Sequence, residues 1–240
     1  MKRRFVSILM VLVMALSLLP AQAMAEDTNV TKLTSISGSL GSGVYQLDDD
    51  VEISTTLTIT GNTTLDLNNH VLKMTGSGSV FKIENGGHLT REDTATDKTD
   101  KHFSVDSNTG LWKYDANGTK TVSGGIITGG TGTEASSGFP DGGGVYIGNG
   151  SSGENKGQLT MKGGNIVGCS ANNNGGGVFV GMSGIFEMTG GSIIGCTAGS
   201  GGGVYFMPGG TFTMKGGNIV GCSAKNGGGV CNGTGGTFTM

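Results

Sequence analysis

The sequence predicts an all-β fold, a parallel β-helix (solenoid) with three short strands per coil and a coil period of about 26 residues. First, Gly-Gly-Gly-Val recurs at Gly142, Gly175, Gly201 and Gly227, in successive steps of 33, 26 and 26. Second, each unit carries a further apolar patch: Leu159-Thr160-Met161, Phe186-Glu187-Met188, Phe212-Thr213-Met214 and Phe238-Thr239-Met240. Third, another patch follows that one: Ile166-Val167-Gly168-Cys169, Ile193-Ile194-Gly195-Cys196 and Ile219-Val220-Gly221-Cys222. A fixed period of this length marks a repeat architecture. A strand that pairs with its counterpart one period later lies about 4.8 Å from it, so like residue falls on like.

That stacking assigns the faces. Val145, Val178, Val204 and Val230 form one inward ladder, Met161, Met188, Met214 and Met240 a second, and Ile166, Ile193 and Ile219 a third. Alternation along the strand puts Tyr146, Phe179 and Tyr205 outside, also stacked. The first and longest unit holds an extra stretch near Gly150 to Gly157, an insertion that lengthens a turn and leaves the ladders intact.

Taken in order, residues 1–25 read as a signal peptide. Lys2, Arg3 and Arg4 precede an apolar run from Phe5 to Leu19, and Ala23-Met24-Ala25 is a small-x-small cleavage site. The run is short for a membrane span, so the mature segment is expected to carry none. Residues 26–43 are polar and are expected to cap the helix. Residues 44–91 look like earlier coils. Leu57-Thr58-Ile59 is answered by Phe81-Lys82-Ile83, and Leu65-Asp66-Leu67 by Leu89-Thr90-Arg91 at the same offset of 24. Arg91 stands where an apolar residue is expected, which predicts a disturbed coil there.

Residues 92–120 break the repeat and are rich in charge and turn formers. Phe103-Ser104-Val105 and Leu111-Trp112-Lys113-Tyr114 can pair as a hairpin through Asp106 to Gly110. Loops on a rigid scaffold often carry function, which makes Trp112, Tyr114 and Phe103 candidate binding residues. The alternative is a structural flap whose Trp112 and Phe103 cover a patch of coil. The repeat resumes with Thr121-Val122-Ser123 and runs over residues 121–240.

The glycine content, 49 of 240, would fit disorder if it were scattered. Here the glycines sit at fixed places beside β-branched and aromatic residues, which argues for ordered turns. The net charge of −3 offers no basic surface, so no nucleic-acid partner is expected.

The Gly-Gly-Gly-Val-aromatic unit and the Gly-Gly-Asn-Ile-Val-Gly-Cys-Ser-Ala unit (Gly163 to Ala171, Gly216 to Ala224) resemble the right-handed parallel β-helix repeat proteins of the pectate-lyase-like superfamily. More narrowly, the chain is similar to secreted and surface adhesin-like proteins of bacteria. Thr64-Leu65-Asp66-Leu67-Asn68-Asn69-His70 and Gly86-Gly87-His88-Leu89-Thr90 are similar to the opening coils of such proteins. The resemblance covers about Val44 to Met240 apart from the insertion. It implies a bacterial secreted or cell-surface protein, an adhesin-like stalk or scaffold whose partners are surface glycans or proteins. The alternative is the non-catalytic part of a polysaccharide lyase or glycoside hydrolase of the same fold.

No catalytic, cofactor or metal site is expected. Glycosidic chemistry needs paired carboxylates, or a calcium cluster with a basic group, on adjacent coils. From Gly142 onward the acidic residues are Glu154 and Glu187, and Arg91 is the one arginine after the leader. Cys169, Cys196 and Cys222 stand in ladder register and read as buried thiols acting as small hydrophobes; the Cα spacing of stacked coils permits a disulfide, but Cβ atoms at the same spacing are a little wide for one, and Cys231 lies on the outer face. Without a C-x-x-C, and with His70, His88 and His102 isolated, the thiols do not suggest metal. Thr211-x-Thr213 and Thr237-x-Thr239 project outward in an array that Gln158-x-Thr160 and Ile185-x-Glu187 interrupt, which speaks for solvent-facing threonine rather than ice binding. Met240 falls inside a strand, in line with Met214. A solenoid needs a capped end, so a fragment of a longer protein is expected, with self-association through the open C-terminal edge.

Overall fold

The computed structural model describes residues 29–84, 86–134, 140–148 and 156–240. The expected leader, Glu154 and most of the turn insertion near Gly150 lie outside the described residues. Among the described residues there is no helix; every regular element is a strand. No helix there is long and apolar enough to cross a membrane.

Three parallel sheets run the length of the molecule, consistent with a β-solenoid. Among the described residues, sheet I has eight strands: Val30–Leu33, Gly43–Leu47, Asn62–Asp66, His88–Glu92, Gln158–Met161, Ile185–Met188, Thr211–Met214 and Thr237–Thr239. Sheet II has six: Val51–Ile53, Val71–Met74, Ile126–Thr128, Asn165–Val167, Ser192–Ile194 and Asn218–Val220. Sheet III has seven: Ser39–Leu40, Leu57–Ile59, Phe81–Ile83, Val145–Ile147, Val178–Val180, Val204–Phe206 and Val230–Asn232. The chain passes from sheet I to II to III and back, one coil per circuit.

The registers follow the repeat. Val145 pairs with Val178, Val178 with Val204, and Val204 with Val230. Met161 pairs with Met188 and Met188 with Met214, while Met240, expected as the fourth rung, lies past the last strand and is 90% exposed; Ile166 pairs with Ile193 and Ile193 with Ile219. These side chains line one continuous core between the sheets. Phe186 and Phe212 stack within it, ring centroids 4.7 Å apart, and the exposed Phe238 continues the stack at 5.0 Å.

The Gly-Gly-Gly run forms a bare backbone ladder. Gly143 N donates to Gly175 O at 3.0 Å and Val145 N to Gly177 O at 2.9 Å. The first glycine of each run has φ between 58° and 66° (Gly142, Gly175, Gly201, Gly227), a region that L side chains rarely enter. The turn therefore needs glycine.

The structure corrects several sequence expectations. Leu57 does face Phe81, as expected, but Leu65 faces Arg91 and Thr63 faces Leu89, an offset of 26 instead of 24. Four residues (84–87) join sheets III and I in that coil, against two (60–61) one coil earlier, which shifts the register. Arg91 does not disturb the coil: it pairs on both sides, with Leu65 and Met161, and its side chain points into the core at 0% exposure. The stretch expected as a cap carries the outermost strands, Val30–Leu33 and Ser39–Leu40, already paired in sheets I and III. Tyr146, Phe179 and Tyr205 stack on the outer face of sheet III, at centroid distances of 5.2 and 5.9 Å. Tyr146 and Phe179 are nevertheless buried, at 6% and 2% exposure, rather than solvent-facing.

Between His88–Glu92 and Ile126–Thr128 the chain leaves the coils and builds a three-stranded antiparallel flap. Its central strand, Asp100–Val105, pairs with Trp112–Tyr114 on one side and Lys120–Ser123 on the other. Thr121 to Ser123 thus belongs to the flap, not to the resumed repeat, because its backbone bonds go to residues 100–102.

Candidate functional site

The flap is placed by charge at its root and by aromatic packing at its middle. Asp93 closes the root: its carboxylate accepts from Asn69 N at 2.7 Å and Gly125 N at 3.0 Å and pairs with Lys98 at 2.8 Å. It thereby ties the exit and return of the insertion to the preceding coil. Burial raises the Asp93 carboxyl, and the bonds from Lys98, Gly125 and Asn69 outweigh it, leaving it below its ordinary value. Lys101, also buried, bonds to Asn69 O at 2.6 Å and to Thr99 Oγ1 at 2.8 Å. Both residues of the root are satisfied, as buried polar groups must be.

Of the three candidate binding residues, Phe103 is enclosed at 0% exposure. It joins Val122, Ile126 and Val167 in a second small core between the flap and the outer face of sheet II, so it has no surface to offer a ligand. Trp112 and Tyr114 flank it, with ring centroids 6.1 and 5.5 Å from Phe103. Trp112 N donates to Gly195 O at 3.0 Å, which extends hydrogen bonding from the flap to a later coil. The indole lies over the stacked turn glycines, against Gly195 and within 3.8 Å of a side-chain position at Gly221. Gly168, Gly195 and Gly221 all have φ near 60°. Glycine there serves the turn and also leaves the flat strip on which the ring rests. Tyr114 stays 39% exposed.

A cavity of about 180 Å³ opens along this contact. The flap contributes Leu111, Trp112, Lys113 and Tyr114; the coils contribute Lys73 and the turn Thr128 to Thr131, with Gly168 and Ser170. Thr131 and Ser170 also line a neighbouring cavity of about 430 Å³ with Thr133, Ser77 and Asn172. Asn172 in turn lines one of about 510 Å³, which lies beneath the flap tip at Asn108 and Thr109. The three adjoin along the turns between sheets II and III, sharing Thr131, Ser170 and Asn172. The floor under the flap tip is a short fourth ladder, Thr197–Ser200 paired with Ser223–Asn226, with Ala198 opposite Ala224. The lining is hydroxyl, amide and small apolar groups with two aromatic rings at one end. Three lysines flank it: Lys73 pairs with Glu52 at 2.9 Å, Lys113 pairs with Asp106 at 3.1 Å, and Lys225 lines the cavity beneath the flap tip. Asp106 pins the hairpin turn: the Thr109 amide first, then Lys113 and Asn108, hold its carboxyl down to about 2.

Several of the described carboxylates are engaged by neighbouring donors. Asp66 and Glu92 are in register on adjacent coils, a pairing that sequence inspection missed because the apparent offset of 24 hid it. Burial raises Asp66, but bonds from Thr94, Gln46 and Asn68 more than offset it, and the carboxyl lies below its ordinary value. Glu92 pairs with Lys162 at 2.8 Å. Asp141, just before the regular repeat, is buried and accepts from Asn174 N at 2.9 Å; burial raises its carboxyl despite that bond. Glu187 aligns with Thr160 and Thr213 and pairs with Lys215 at 2.6 Å. Among the described residues no group of three or more His, Cys, Asp or Glu side chains could hold a metal ion.

Among the described residues, Arg91 is the buried side chain left with unsatisfied polar atoms. Its Nη2 donates to Gly164 O at 3.2 Å, while Nε and Nη1 have no acceptor. Burial pushes the guanidinium down to about 9, against the upward pull of Asp93 and Cys169.

The chain matches no protein-family model, no curated protein and no solved structure.

Proposed function

We propose that the chain is a right-handed parallel β-helix that serves as an exported or surface-displayed binding scaffold, with the flap groove as its ligand site. Right-handed winding is the general rule for parallel crossovers, and the resemblance of the Gly-Gly-Gly-Val and Gly-Cys-Ser-Ala units to adhesin-like repeat proteins agrees with it. The ligand class we favour is an uncharged, linear glycan of a cell surface. The observation that carries this reading is the row of adjoining cavities that begins at Trp112 and Tyr114 and passes Thr131, Ser170 and Asn172. Sugar rings present an apolar face and a hydroxyl edge. Aromatic rings with polar handles meet the first, and threonine, serine and asparagine meet the second as both donors and acceptors. Binding is favoured over bond cleavage because Asp66 and Glu92, the in-register acidic pair, are occupied by Thr94, Gln46 and Lys162.

Trp112 is the only tryptophan of the chain, so its emission reports on the groove directly. Titration with neutral oligosaccharides of increasing length should shift or quench that emission, with affinity rising as the chain spans all three cavities. Y114A should weaken binding about 2- to 10-fold, the range for one aromatic contact. Absence of any response across neutral glycans, or binding that Y114A leaves unchanged, would overturn the groove as the site.

A further inference from the structure

The repeated Gly-Cys-Ser/Thr-Ala turn sets three sulfurs one above another. Cys169 and Cys196 are buried in the main core, and Cys222 packs against it with part of its surface open. Backbone bonds hold the three at coil spacing: Thr197 N donates to Cys169 O at 3.0 Å and Ser223 N to Cys196 O at 2.9 Å. The side chains share one posture. Each sulfur leans on the carbonyl two residues back, Val167 at 3.8 Å, Ile194 at 3.5 Å and Val220 at 3.6 Å. Cys196 and Cys222 also reach carbonyls of the preceding coil, Ile166 at 3.9 Å and Ile193 at 3.6 Å. The neighbouring thiols also perturb one another: burial first and then Cys169 raise the Cys196 thiol, and Cys196 raises that of Cys222. All four cysteines are free.

Adjacent parallel strands place such Cα atoms about 4.8 Å apart, inside the range that a disulfide spans, and Cβ atoms about as far apart, so closure draws the two side chains together by a few tenths of an ångström. We propose that Cys196 and Cys222 form a thiol–disulfide exchange site that closes into a bridge between consecutive coils, leaving Cys169 reduced. Cys196 is the middle rung, so any bridge in the ladder uses it. Its partner is Cys222 because a reagent must reach the first sulfur, and Cys169 is wholly enclosed. Cys231 is not a competitor, since it sits on the outer face of sheet III opposite Tyr205.

The co-reactant is a small dialkyl disulfide. The Cys222 thiol loses its proton to solvent, and the thiolate attacks one sulfur of the reagent and expels the first thiolate. The Cys196 sulfur then attacks the Cys222 sulfur of the mixed disulfide, and its proton passes to the second reagent thiolate as that leaves, while the first takes up a proton from solvent. Two protein thiols are oxidised and one reagent disulfide is reduced to two thiols. Cys196 and then burial hold the Cys222 thiol up, and burial first does the same at Cys196, so the exchange should accelerate as pH rises.

The test is incubation of the full chain with oxidised glutathione, followed by unfolding, alkylation of remaining thiols and peptide mapping. Cleavage after lysine at Lys162, Lys215 and Lys225, and after Glu187, puts the four cysteines on four separate peptides. The expected product is a crosslink between the Cys196 and Cys222 peptides, lighter by two hydrogens, with Cys169 recovered alkylated and the melting temperature raised by several degrees. C222S should abolish the crosslink and C169S should leave it intact. Should C222S fail to fold, the wild-type map alone decides. Recovery of Cys196 as a free thiol after exhaustive oxidation, or its bridging to Cys169, would overturn the proposal.

Discussion

Replacing Arg91 by methionine should stabilise the protein. The column that contains Arg91 reads Leu65, Arg91, Met161, Met188 and Met214 through successive coils, so methionine is the residue that the repeat itself places there. Arg91 is fully buried, with Nε and Nη1 lacking acceptors and one bond from Nη2 to Gly164 O. Each unsatisfied buried donor costs about 1–3 kcal/mol, and one charge-assisted bond returns about 1.5–3 kcal/mol. Gly164 O keeps a donor in the variant, because Ser192 N also bonds to it at 3.2 Å. Asp93 keeps Lys98, Gly125 and Asn69. Swapping buried ions for apolar residues of similar volume typically yields about 1–4 kcal/mol, and methionine leaves only a small gap. We expect a net gain of about 1–3 kcal/mol for R91M, or roughly 2–12 °C in melting temperature for a chain of this length. The assay is thermal or urea unfolding followed by circular dichroism, with R91A alongside as the cavity control, which should lose stability. A lower melting temperature for R91M than for the wild type would refute the reasoning, because it would mean that the guanidinium is a net stabiliser of the core.

Three other outcomes follow from the flap and its root. D93N, which removes the charge that holds Asn69, Gly125 and Lys98 together, should lose about 1–3 kcal/mol at the root, read as faster proteolytic cutting between residues 93 and 125 while the coils stay intact. G195A forces a side chain into a φ of 58° and into the Trp112 indole, so it should cost at least about 1–2 kcal/mol and red-shift tryptophan emission as the ring is displaced. The Asp66 and Asp93 carboxyls both lie below their ordinary values. Their contribution is fully present above the unfolded value near 4 and is lost as pH falls through the lower folded values, so the melting temperature should drop below about pH 4, and less steeply in the D66N and D93N variants.

The regular half of the fold was legible because glycine and cysteine recur at fixed positions. Once Gly142, Gly175, Gly201 and Gly227 are aligned, the pairing of Val145 with Val178 and Val204 follows. The same logic failed at Leu65, where a longer turn moved the register and hid the pairing of Asp66 with Glu92. Local pattern also found the hairpin of Phe103 with Tyr114, since two apolar runs flank a turn sequence. It did not find the third strand: Lys120–Ser123 reads like a coil strand, and only its partners at Asp100–Phe103 show otherwise. The root of the flap was invisible for the same reason. Asp93 bonds to Asn69 in the coil before it and to Gly125 beyond the whole insertion, contacts that no short sequence window contains. Trp112 and Tyr114 stood out as aromatic residues in a polar insertion, but so did Phe103, which the fold uses for packing. The polar half of the groove, Thr131, Ser170 and Asn172, consists of ordinary turn residues that become a surface only after the coils stack.

The most direct test of the account is a distance across the stack. Thr64, Thr90, Thr160, Glu187, Thr213 and Thr239 form one unbroken outward column on sheet I. Labels at the two ends, Thr64 and Thr239, are far apart in sequence but only five strand spacings apart in space, about 24 Å. Nitroxides attached through a non-thiol chemistry, to spare the four native cysteines, give that separation by pulsed electron paramagnetic resonance. The stacked-coil account predicts a single narrow distribution centred within a label's length of five strand spacings. A broad distribution, or a separation about twice as long, would contradict it.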